Sequence, residues 1–493
     1  MGLNMKKETT LCYQIIAVII LLTWINPKIT YAQSSTIEIG ISEVNITPPV
    51  GYDQYRGTST GVHDPLYAKA IVFQNENEVA ALVVCDLISI TSPMSIEIRT
   101  AASDQTGIPY SNIIVAATHT HTGPRHHAPV NDYISRKQSG ELTTSEQESY
   151  EALLLSGIVE SIVDAHQNRR NVYVESGSGI AEDISFNRRF IMKDGKVGWN
   201  PGIGNPSIVR PAGPIDPEVG IIMFRNTTDS ELAGSLTSFA NHTDTVGGTE
   251  FSADYPGYLA NALREGIGEN FISVFGMGTS GDINHIDVKS DDTIQRGHES
   301  VTRPTGEKLA EVVLNEIPNL IRATNSTLGV RSEIIYAPLQ DFTDNELRWA
   351  LKEEREPFYN ERPFLQRFRA NKIRSLESMR NSGEAIPPTV GTENWTFPVE
   401  VQVIQIGEHA AIVGLPGEVF VELGMAIKES SPFETTLIVE LTNKGISYVP
   451  TKEAFAQGEY ETINSRLAPG GGELMVEAAI RMLNDLHKNK INR

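Results

Sequence analysis

Short runs of apolar residues alternate with longer amphipathic segments along most of the chain. The short runs are β-rich and bounded by Pro, Gly and Asn, a pattern typical of strands. They predict strands at 37–44, 67–73, 79–87, 113–117, 219–224, 234–240, 272–275, 399–406, 410–413 and 437–442. The longer segments repeat apolar residues at helical spacing and predict helices at 146–166, 255–265, 306–322 and 473–487. Strands that alternate with helices predict an α/β fold with a mixed β-sheet core and flanking helices.

A long charged segment interrupts this alternation. Residues from Thr343 to Asn381 have a helical pattern, and Thr343 with Glu346 forms a capping box at its start. We interpret this segment as a helical insertion near 341–382. No change of composition marks a linker, so we predict a single catalytic domain over residues 33–493.

The N-terminus has the pattern of a secretory signal. Lys6 and Lys7 precede an apolar run of about fifteen residues, Leu11 to Ile25, and small residues follow before residue 33. We expect residues 1–32 to be a cleaved signal peptide, with no stable transmembrane span afterwards and a secreted or periplasmic location. An uncleaved membrane anchor is the alternative.

Cysteine content and charge limit the cellular locations and the binding partners that the chain is expected to have. Only two cysteines are present, and Cys12 lies in the predicted signal, so Cys85 is left without an intramolecular partner. A large exported chain without disulfides fits bacterial export. The formal net charge of −21 argues against nucleic acid or an anionic membrane surface as the main partner. Composition leaves the oligomeric state open.

A pair of histidines follows one of the buried strands. His119 and His121 come directly after strand 113–117. Side chains two apart on an extended segment point the same way, so both imidazoles are expected to face one pocket at the end of a strand. Neutral imidazole is a good zinc ligand, whereas the alternative is two hydrogen-bonded loop histidines.

Other polar residues lie at strand ends in the same manner. They are His242, Asp282, Asn284, Glu418 and Tyr448. Each of these could equally be a cap, a turn residue or a satisfied surface group. Spacing alone does not select the metal ligands among them.

The segment Ala117–Pro124 resembles the A-T-H-T-H-S-G-P motif of the neutral ceramidase family. Further short matches follow in the family's order, from about Ile39 to Leu483. They are Asn187-Arg188, Asn200-Pro201, Phe239 to Thr243, Asp254 to Tyr258, Gly281-Asp282, Pro416 to Glu418, Leu441 to Asn443, Tyr448 to Thr451 and Glu459 to Glu461.

The resemblance implies a zinc site whose ligands are His119, His242, Glu418 and Tyr448. A bound water would complete the coordination shell, and zinc would lower its pKa and polarise a carbonyl. The resemblance also implies that His121 acts as proton shuttle or oxyanion stabiliser, and that Arg188 contacts the substrate or its developing negative charge. The substrate would be a small molecule or a lipid.

The chain also departs from the family pattern. Asn284 occupies the position of the family's serine in G-D-V-S-P-N, and an amide is not a nucleophile. We therefore predict direct attack by metal-activated water, with Asn284 or His285 positioning the substrate. Arg125-His126-His127 replaces small residues, which suits a polar or anionic substrate, or else forms a solvated loop. We also expect the family's C-terminal immunoglobulin-like domain to be absent.

Three hypotheses about the function follow from these residues. The first is a zinc amidase that cleaves the N-acyl bond of ceramide or a related lipid. The second is a zinc hydrolase of the same scaffold that acts on another ester or amide, for example on a carbohydrate or peptide. The third is a non-catalytic binding protein derived from the family. Amidohydrolase barrels also use H-x-H, but on their first strand, whereas several strands precede His119 here.

Overall fold

The computed structural model describes residues 36–290, 296–354, 364–389 and 393–491. The predicted signal peptide lies outside the described residues. So do residues 355–363, in the middle of the long segment that is predicted to be helical.

Nine strands form the larger sheet, in which parallel and antiparallel neighbours are mixed. In chain order they are β1 (Ile37–Asn45), β2 (Tyr67–Gln74), β3 (Val79–Cys85), β4 (Ile113–Ala117), β5 (Arg170–Ile180), β6 (Glu218–Asn226), β7 (Leu232–Phe239), β8 (Ile272–Met277) and β9 (Ile321–Arg322). Their hydrogen-bonded order is β8-β7-β6-β5-β1-β2-β3-β4, and β9 pairs with β5. The pairs β3–β4 and β7–β8 are parallel.

Four strands form the second sheet. They are β10 (Leu328–Pro338), β11 (Thr396–Ile406), β12 (Ala410–Gly414) and β13 (Thr435–Val439). The predicted hairpin of β11 and β12 is confirmed, and β13 runs parallel to β12. Side chains point alternately to the two faces of a sheet. In both sheets each face carries apolar side chains, so both faces must be buried. The inner faces pack together through residues such as Leu82, Ile114, Ile404, Ile412 and Leu437.

Helices cover the outer faces of both sheets. In chain order they are α1 (Ser92–Thr106), α2 (His127–Ser139), α3 (Thr144–Gln147), α4 (Tyr150–Gln167), α5 (Tyr255–Ile267), α6 (Arg303–Glu316), α7 (Asp344–Glu354), α8 (Phe364–Asn381), α9 (Val421–Ser430), α10 (Lys452–Gln457), α11 (Tyr460–Asn464) and α12 (Gly471–Ile491). Helices α1, α2, α4, α5 and α6 pack on the larger sheet, and α9 and α12 pack on the smaller one. The result is four layers, and the predicted α/β class is confirmed.

Small sheets of two or three short strands join the loops outside these layers. They are Asp53–Gln54 with Gly57–Thr58, Gly61–Val62 with Glu250–Phe251, Phe186–Asn187 with Ile283–Asn284, Arg189–Met192 with Val197–Trp199 and Ile208–Pro211, and Glu418–Val419 with Tyr448–Val449.

One helix prediction needs correction. The helix expected over 306–322 ends at Glu316, because a short 3-10 turn at Ile317–Asn319 contains Pro318 and leads into strand β9. The predicted helical insertion contains helices α7 and α8, and the residues between them lie outside the described ranges. The capping box at its start is confirmed, since Thr343 and Glu346 exchange hydrogen bonds in both directions.

The larger sheet curves strongly. Strands β4 and β8 lie at opposite ends of its hydrogen-bonded order, yet they approach each other in space. The loops that follow the two ends of the sheet can therefore meet at one place. Among the helices in the described ranges, none is both long and apolar enough to cross a bilayer.

Candidate metal centre

The loops that follow β4 and β7 are joined directly to each other. The backbone N–H of His121 donates to the carbonyl oxygen of Thr243 at 3.1 Å. The hydroxyl of Thr243 donates to the carbonyl oxygen of Thr118 at 2.7 Å. These bonds place His119 and His121 beside His242, and the ligand nitrogens of the three histidines lie within 4.8 Å of one another.

The imidazole rings of His119 and His121 lie close together as predicted. The predicted reason, an extended backbone between them, is wrong. His119 has a φ of 67°, so its backbone is left-handed and the segment is not extended. The turn still directs both imidazoles inward, and their Nε2 atoms are 3.3 Å apart. Thr118 and Thr120 are buried around this turn.

Backbone carbonyl groups orient two of the rings. Nδ1 of His119 lies 2.6 Å from the carbonyl oxygen of Ile88, and Nδ1 of His242 lies 2.9 Å from that of Ser280. A carbonyl oxygen accepts only, so Nδ1 carries the proton in both rings and Nε2 carries the lone pair. This is the orientation that metal-binding histidines usually have.

The carboxylate of Glu418 completes the cluster. Its Oε2 atom lies 3.4 Å from Nε2 of His119 and 3.4 Å from Nε2 of His242. This oxygen is buried, and it has no hydrogen-bond donor among the described residues. Three electron-rich atoms thus face one another in a buried space, an arrangement that a cation stabilises. Imidazole nitrogen and carboxylate oxygen are ligands that zinc accepts, so the residues present fit that ion.

Tyr448 lies next to Glu418 because their two short strands pair in parallel with these residues in register. Its side chain is 5% exposed. Burial raises the pKa of Tyr448 well above its ordinary value, and the neighbouring Glu418 raises it further. The ring of Tyr460 lies 5.4 Å from that of Tyr448 and forms part of the same wall.

The protonation states of His121, His242 and Glu418 suit a metal site. Burial lowers the pKa of His121 to about 3, and burial together with Arg188 lowers that of His242 to about 4. Burial would also lower the pKa of His119, but Glu418 raises it above its ordinary value. Burial would raise the pKa of Glu418, but His119 and His242 hold it well below its usual range. Neutral imidazoles and an ionised carboxylate are the forms that bind metal ions.

Arg188 is held beside these side chains in a buried position. Its Nε donates to Glu461 Oε1 at 2.8 Å, and one terminal nitrogen donates to the carbonyl oxygen of Gly281 at 2.6 Å. The other terminal nitrogen lies 3.4 Å from Nε2 of His242. The structure thus brings Arg188 together with the histidines, Glu418 and Tyr448.

Glu461 is a site residue to which the sequence reasoning assigned no role. Its side chain is fully buried and bridges Arg188 and Arg189 at 2.8 and 2.9 Å. The only available signal was the short match of Tyr460-Glu461 to the family.

Asp244 was also not singled out from the sequence. It follows His242 by two residues and forms ion pairs with Arg56 and Arg296.

Asn284 lies near Arg188 but is turned toward other groups. Its strand pairs with the short strand that precedes Arg188. Its amide nitrogen donates to Asn200 Oδ1 at 2.9 Å, and its amide oxygen accepts from the N–H of Ile286. His285 follows as a half-buried residue. The amide of Asn284 thus faces Asn200 and Ile286.

The other hydroxyl near this loop is also occupied. Ser280 donates its hydroxyl to Glu440 Oε1 at 2.6 Å and is fully buried. The second carboxylate oxygen of Glu440 accepts from the N–H of Val419. Glu440 therefore ties Ser280 to the strand that carries Glu418.

The fold and the site together define an α/β protein with a buried cluster of histidine and carboxylate ligands where strands of both sheets end. The neutral/alkaline non-lysosomal ceramidase N-terminal family model matches residues 38–285, about half of the chain. The chain belongs to this family, and the resemblance inferred from its ordered motifs is confirmed.

Two curated relatives match most of the chain. Neutral ceramidase of Pseudomonas aeruginosa is 23% identical over 470 residues, which cover 84% of this chain and 65% of that protein. Neutral ceramidase of Mycobacterium tuberculosis is 24% identical over 467 residues, which cover 84% of this chain and 70% of that protein. This chain thus spans slightly less than two thirds of the Pseudomonas relative.

Solved structures of the family share the fold. The crystal structure of neutral ceramidase from Pseudomonas aeruginosa superposes with a TM-score of 0.66 at 19% identity and covers 92% of this chain and 75% of that one. A structure described as ceramidase complexed with C2 gives the same TM-score at 18% identity, with coverage of 92% and 76%.

Proposed function

We propose that this protein is an exported zinc-dependent hydrolase that cleaves an N-acyl amide bond, with ceramide-like lipids as the first substrates to test. The observation that carries this proposal is the meeting of Glu418 Oε2 with the Nε2 atoms of His119 and His242 in a buried site. Membership of the ceramidase family and the printed names of both relatives support the reaction class.

The zinc ligands in this proposal are His119, His242, Glu418 and Tyr448. Bound zinc would polarise the scissile carbonyl and bring the pKa of a neighbouring water toward neutral. The orphaned carboxylate oxygen and the inward Nε2 lone pairs support this choice of ligands.

Arg188 and His121 act on the substrate itself. The Arg188 guanidinium is permanently charged and rigidly held, so it can bind the carbonyl oxygen as negative charge develops there. His121 has its Nε2 atom 3.3 Å from that of His119. It takes a proton from the attacking water and passes it to the departing amine nitrogen. The products are a carboxylate and an amine.

Water is the nucleophile in this proposal. Asn284 carries an amide at the position of the family serine, and that amide is bound to Asn200. The hydroxyl of Ser280 is bound to the buried Glu440. Asn284 and His285 then hold the loop that lines the substrate's path.

The first experiment is hydrolysis of a short-chain fluorescent ceramide by purified residues 34–493, with metal content measured on the same samples. We expect one zinc per chain and fatty-acid release that is lost with a chelator and in His119→Ala. His166→Ala, in α4, is the matched control and should keep both properties. Bound zinc without release from ceramide or from simple N-acyl amides would favour the non-catalytic reading.

A second experiment tests the nucleophile. Rapid acid quench during turnover, followed by intact mass measurement, should show no covalent acyl adduct. An adduct on Ser280 or any other side chain would contradict attack by water while leaving the hydrolase proposal in place.

Export is tested by expressing the full chain in a Gram-negative host and sequencing the N-terminus of the recovered protein.

A further inference from the structure

Arg466 is a second, half-buried arginine near the proposed site, and nothing in the preceding mechanism uses it. It lies two residues beyond helix α11, which carries Tyr460 and Glu461. Its Nε donates to the hydroxyl of Ser375 at 3.3 Å, and one terminal nitrogen donates to the carbonyl oxygen of Asn464 at 3.0 Å. These partners are neutral.

Arg466 differs from Arg188 in that it has no carboxylate partner among the described residues. Arg188 is neutralised by Glu461 at 2.8 Å. Over the part of the chain that the structure describes, no carboxylate lies within 4.0 Å of the Arg466 guanidinium. The Arg466 side chain is half-buried and its partners are neutral, so its guanidinium has N–H donors left that an anion can accept from.

Hydrogen bonds place Arg466 beside the proposed metal ligands. The carbonyl oxygen of Asn464 accepts from Arg466 and also from the hydroxyl of Ser447 at 3.2 Å. Ser447 immediately precedes Tyr448 in the chain. The side chain of Arg466 thus lies in the corner between Tyr448, helix α11 and helix α8.

The charges that act on Arg466 belong to the same site. Burial lowers the pKa of Arg466, and the groups that oppose this effect are Glu418, Tyr460 and Tyr448. A metal ion at the proposed site would take up the charge of Glu418. Arg466 would then keep an uncompensated positive charge beside the proposed site.

We propose that Arg466 binds an anionic oxygen group, a carboxylate or phosphate, on the amine side of the substrate, close to the scissile amide. The group lies on the amine side because an alkyl acyl chain offers no anion near that bond. This inference rests on the proposed function and narrows its substrate class to N-acylated amines that carry a negative charge. Guanidinium is well suited to both anions, since its planar donors can bind two oxygens at once.

A purely structural role for Arg466 would give a different result. In that case Arg466 only joins the end of α11 to Ser375 of α8, and its removal would weaken the binding of charged and neutral substrates equally. The ratio between a charged and a neutral ligand therefore separates the two roles.

The test uses three ligands that differ in one group. N-lauroylserine carries a carboxylate, N-lauroylserinol phosphate carries a phosphate, and N-lauroylserinol is neutral at that position. Ketone isosteres, in which a methylene replaces the amide nitrogen, are titrated calorimetrically into the zinc-loaded protein, so that binding is measured without turnover. The cleavable amides are then assayed for kcat/KM.

We expect at least one anionic isostere to bind wild type about tenfold more tightly than the neutral one, as a charge-assisted hydrogen bond implies. Arg466→Gln should reduce this preference to within about twofold, and Arg466→Lys should retain part of it. Arg481→Gln removes an exposed arginine that pairs with Glu333, and it should leave the preference unchanged.

Equal binding of all three isosteres by wild type would overturn the inference without any variant. An unchanged preference in Arg466→Gln would overturn it as well. If the anionic preference is found but none of the amides is cleaved, the proposed hydrolase function fails and the anion site stands.

Discussion

The backbone N–H of His121 donates to the carbonyl oxygen of Thr243 at 3.1 Å, although the two residues follow strands near opposite ends of the larger sheet. This bond closes the curved sheet at the place where the histidines meet. The proposed metal site is therefore built on a contact between two distant parts of the sheet. Disturbing either loop should affect metal binding and stability together.

The charge of Glu418 should dominate zinc affinity. Glu418→Gln keeps the size of the side chain but removes the negative charge that faces His119 and His242. We expect zinc affinity to fall by more than about tenfold, since even outer-sphere partners of a metal contribute that much. Competition with a chromogenic chelator measures the change. Glu434→Gln alters an exposed carboxylate and should bind zinc as wild type does.

The buried Glu461 should be important for stability as well as for the site. Glu461→Gln leaves the guanidinium groups of Arg188 and Arg189 without their shared counter-charge. Breaking a buried ion pair from one side costs about 3–5 kcal/mol. Urea unfolding measures the loss, and Glu453→Gln on exposed α10 should cost far less. A wild-type unfolding midpoint in Glu461→Gln would show that the two arginines find other partners.

Gly417 should tolerate no side chain, because it holds the strand of Glu418 against that of Tyr448. Its φ is 83°, and an added Cβ would lie 2.6 Å from the carbonyl oxygen of Ser447. Gly470 is the matched control, since its φ is 95° but the space around it is open. Both alanine variants should lose about 1–2 kcal/mol from backbone strain.

The steric clash should separate the two glycine variants. Only Gly417→Ala should lose additional stability and zinc affinity, because the strand that bears Glu418 must move. Thermal unfolding and zinc titration of both variants measure this difference. Equal losses would mean that the strand pair accommodates a methyl group.

Lys372 on α8 should make stability depend on pH in the alkaline range. Burial, together with the smaller effects of Arg369 and Arg466, lowers its pKa to about 8. Between that pH and the ordinary lysine value near 10.4, the unfolded chain holds the proton more tightly than the folded one, so the free energy of unfolding rises with pH. Below about pH 8 both states are protonated and the destabilisation is complete.

Substitution of Lys372 isolates this effect. The stability advantage of Lys372→Met over wild type should shrink between pH 7.5 and 9.5 in urea titrations. The same substitution at exposed Lys352 should give a profile parallel to that of wild type. A constant difference between wild type and Lys372→Met would contradict the lowered pKa.

Local sequence pattern determined much of this protein. Period-two and helical spacing predicted most of the sheet strands and helices α4, α5 and α12, because burial of one face leaves a regular trace in the chain. Helices α1 and α2 also pack in the core but were not predicted. The exact match of strand 113–117 and the hairpin around Gly407 are examples. Helix α6 was predicted too long because its apolar spacing continued through Pro318, where a proline stops it.

Ordered short motifs identified the family and proposed six side chains that the structure does bring together. Tertiary structure alone decided how they meet. His119 reaches the cluster through a left-handed turn, and its partners come from loops that follow strands far apart in sequence. Glu461 could be assigned a role only when its burial and its two arginine partners were known, and Arg466 only when its neutral partners were known. Charge pairing and sheet closure depend on distances between remote residues, and no local pattern of hydrophobic and polar positions encodes those distances.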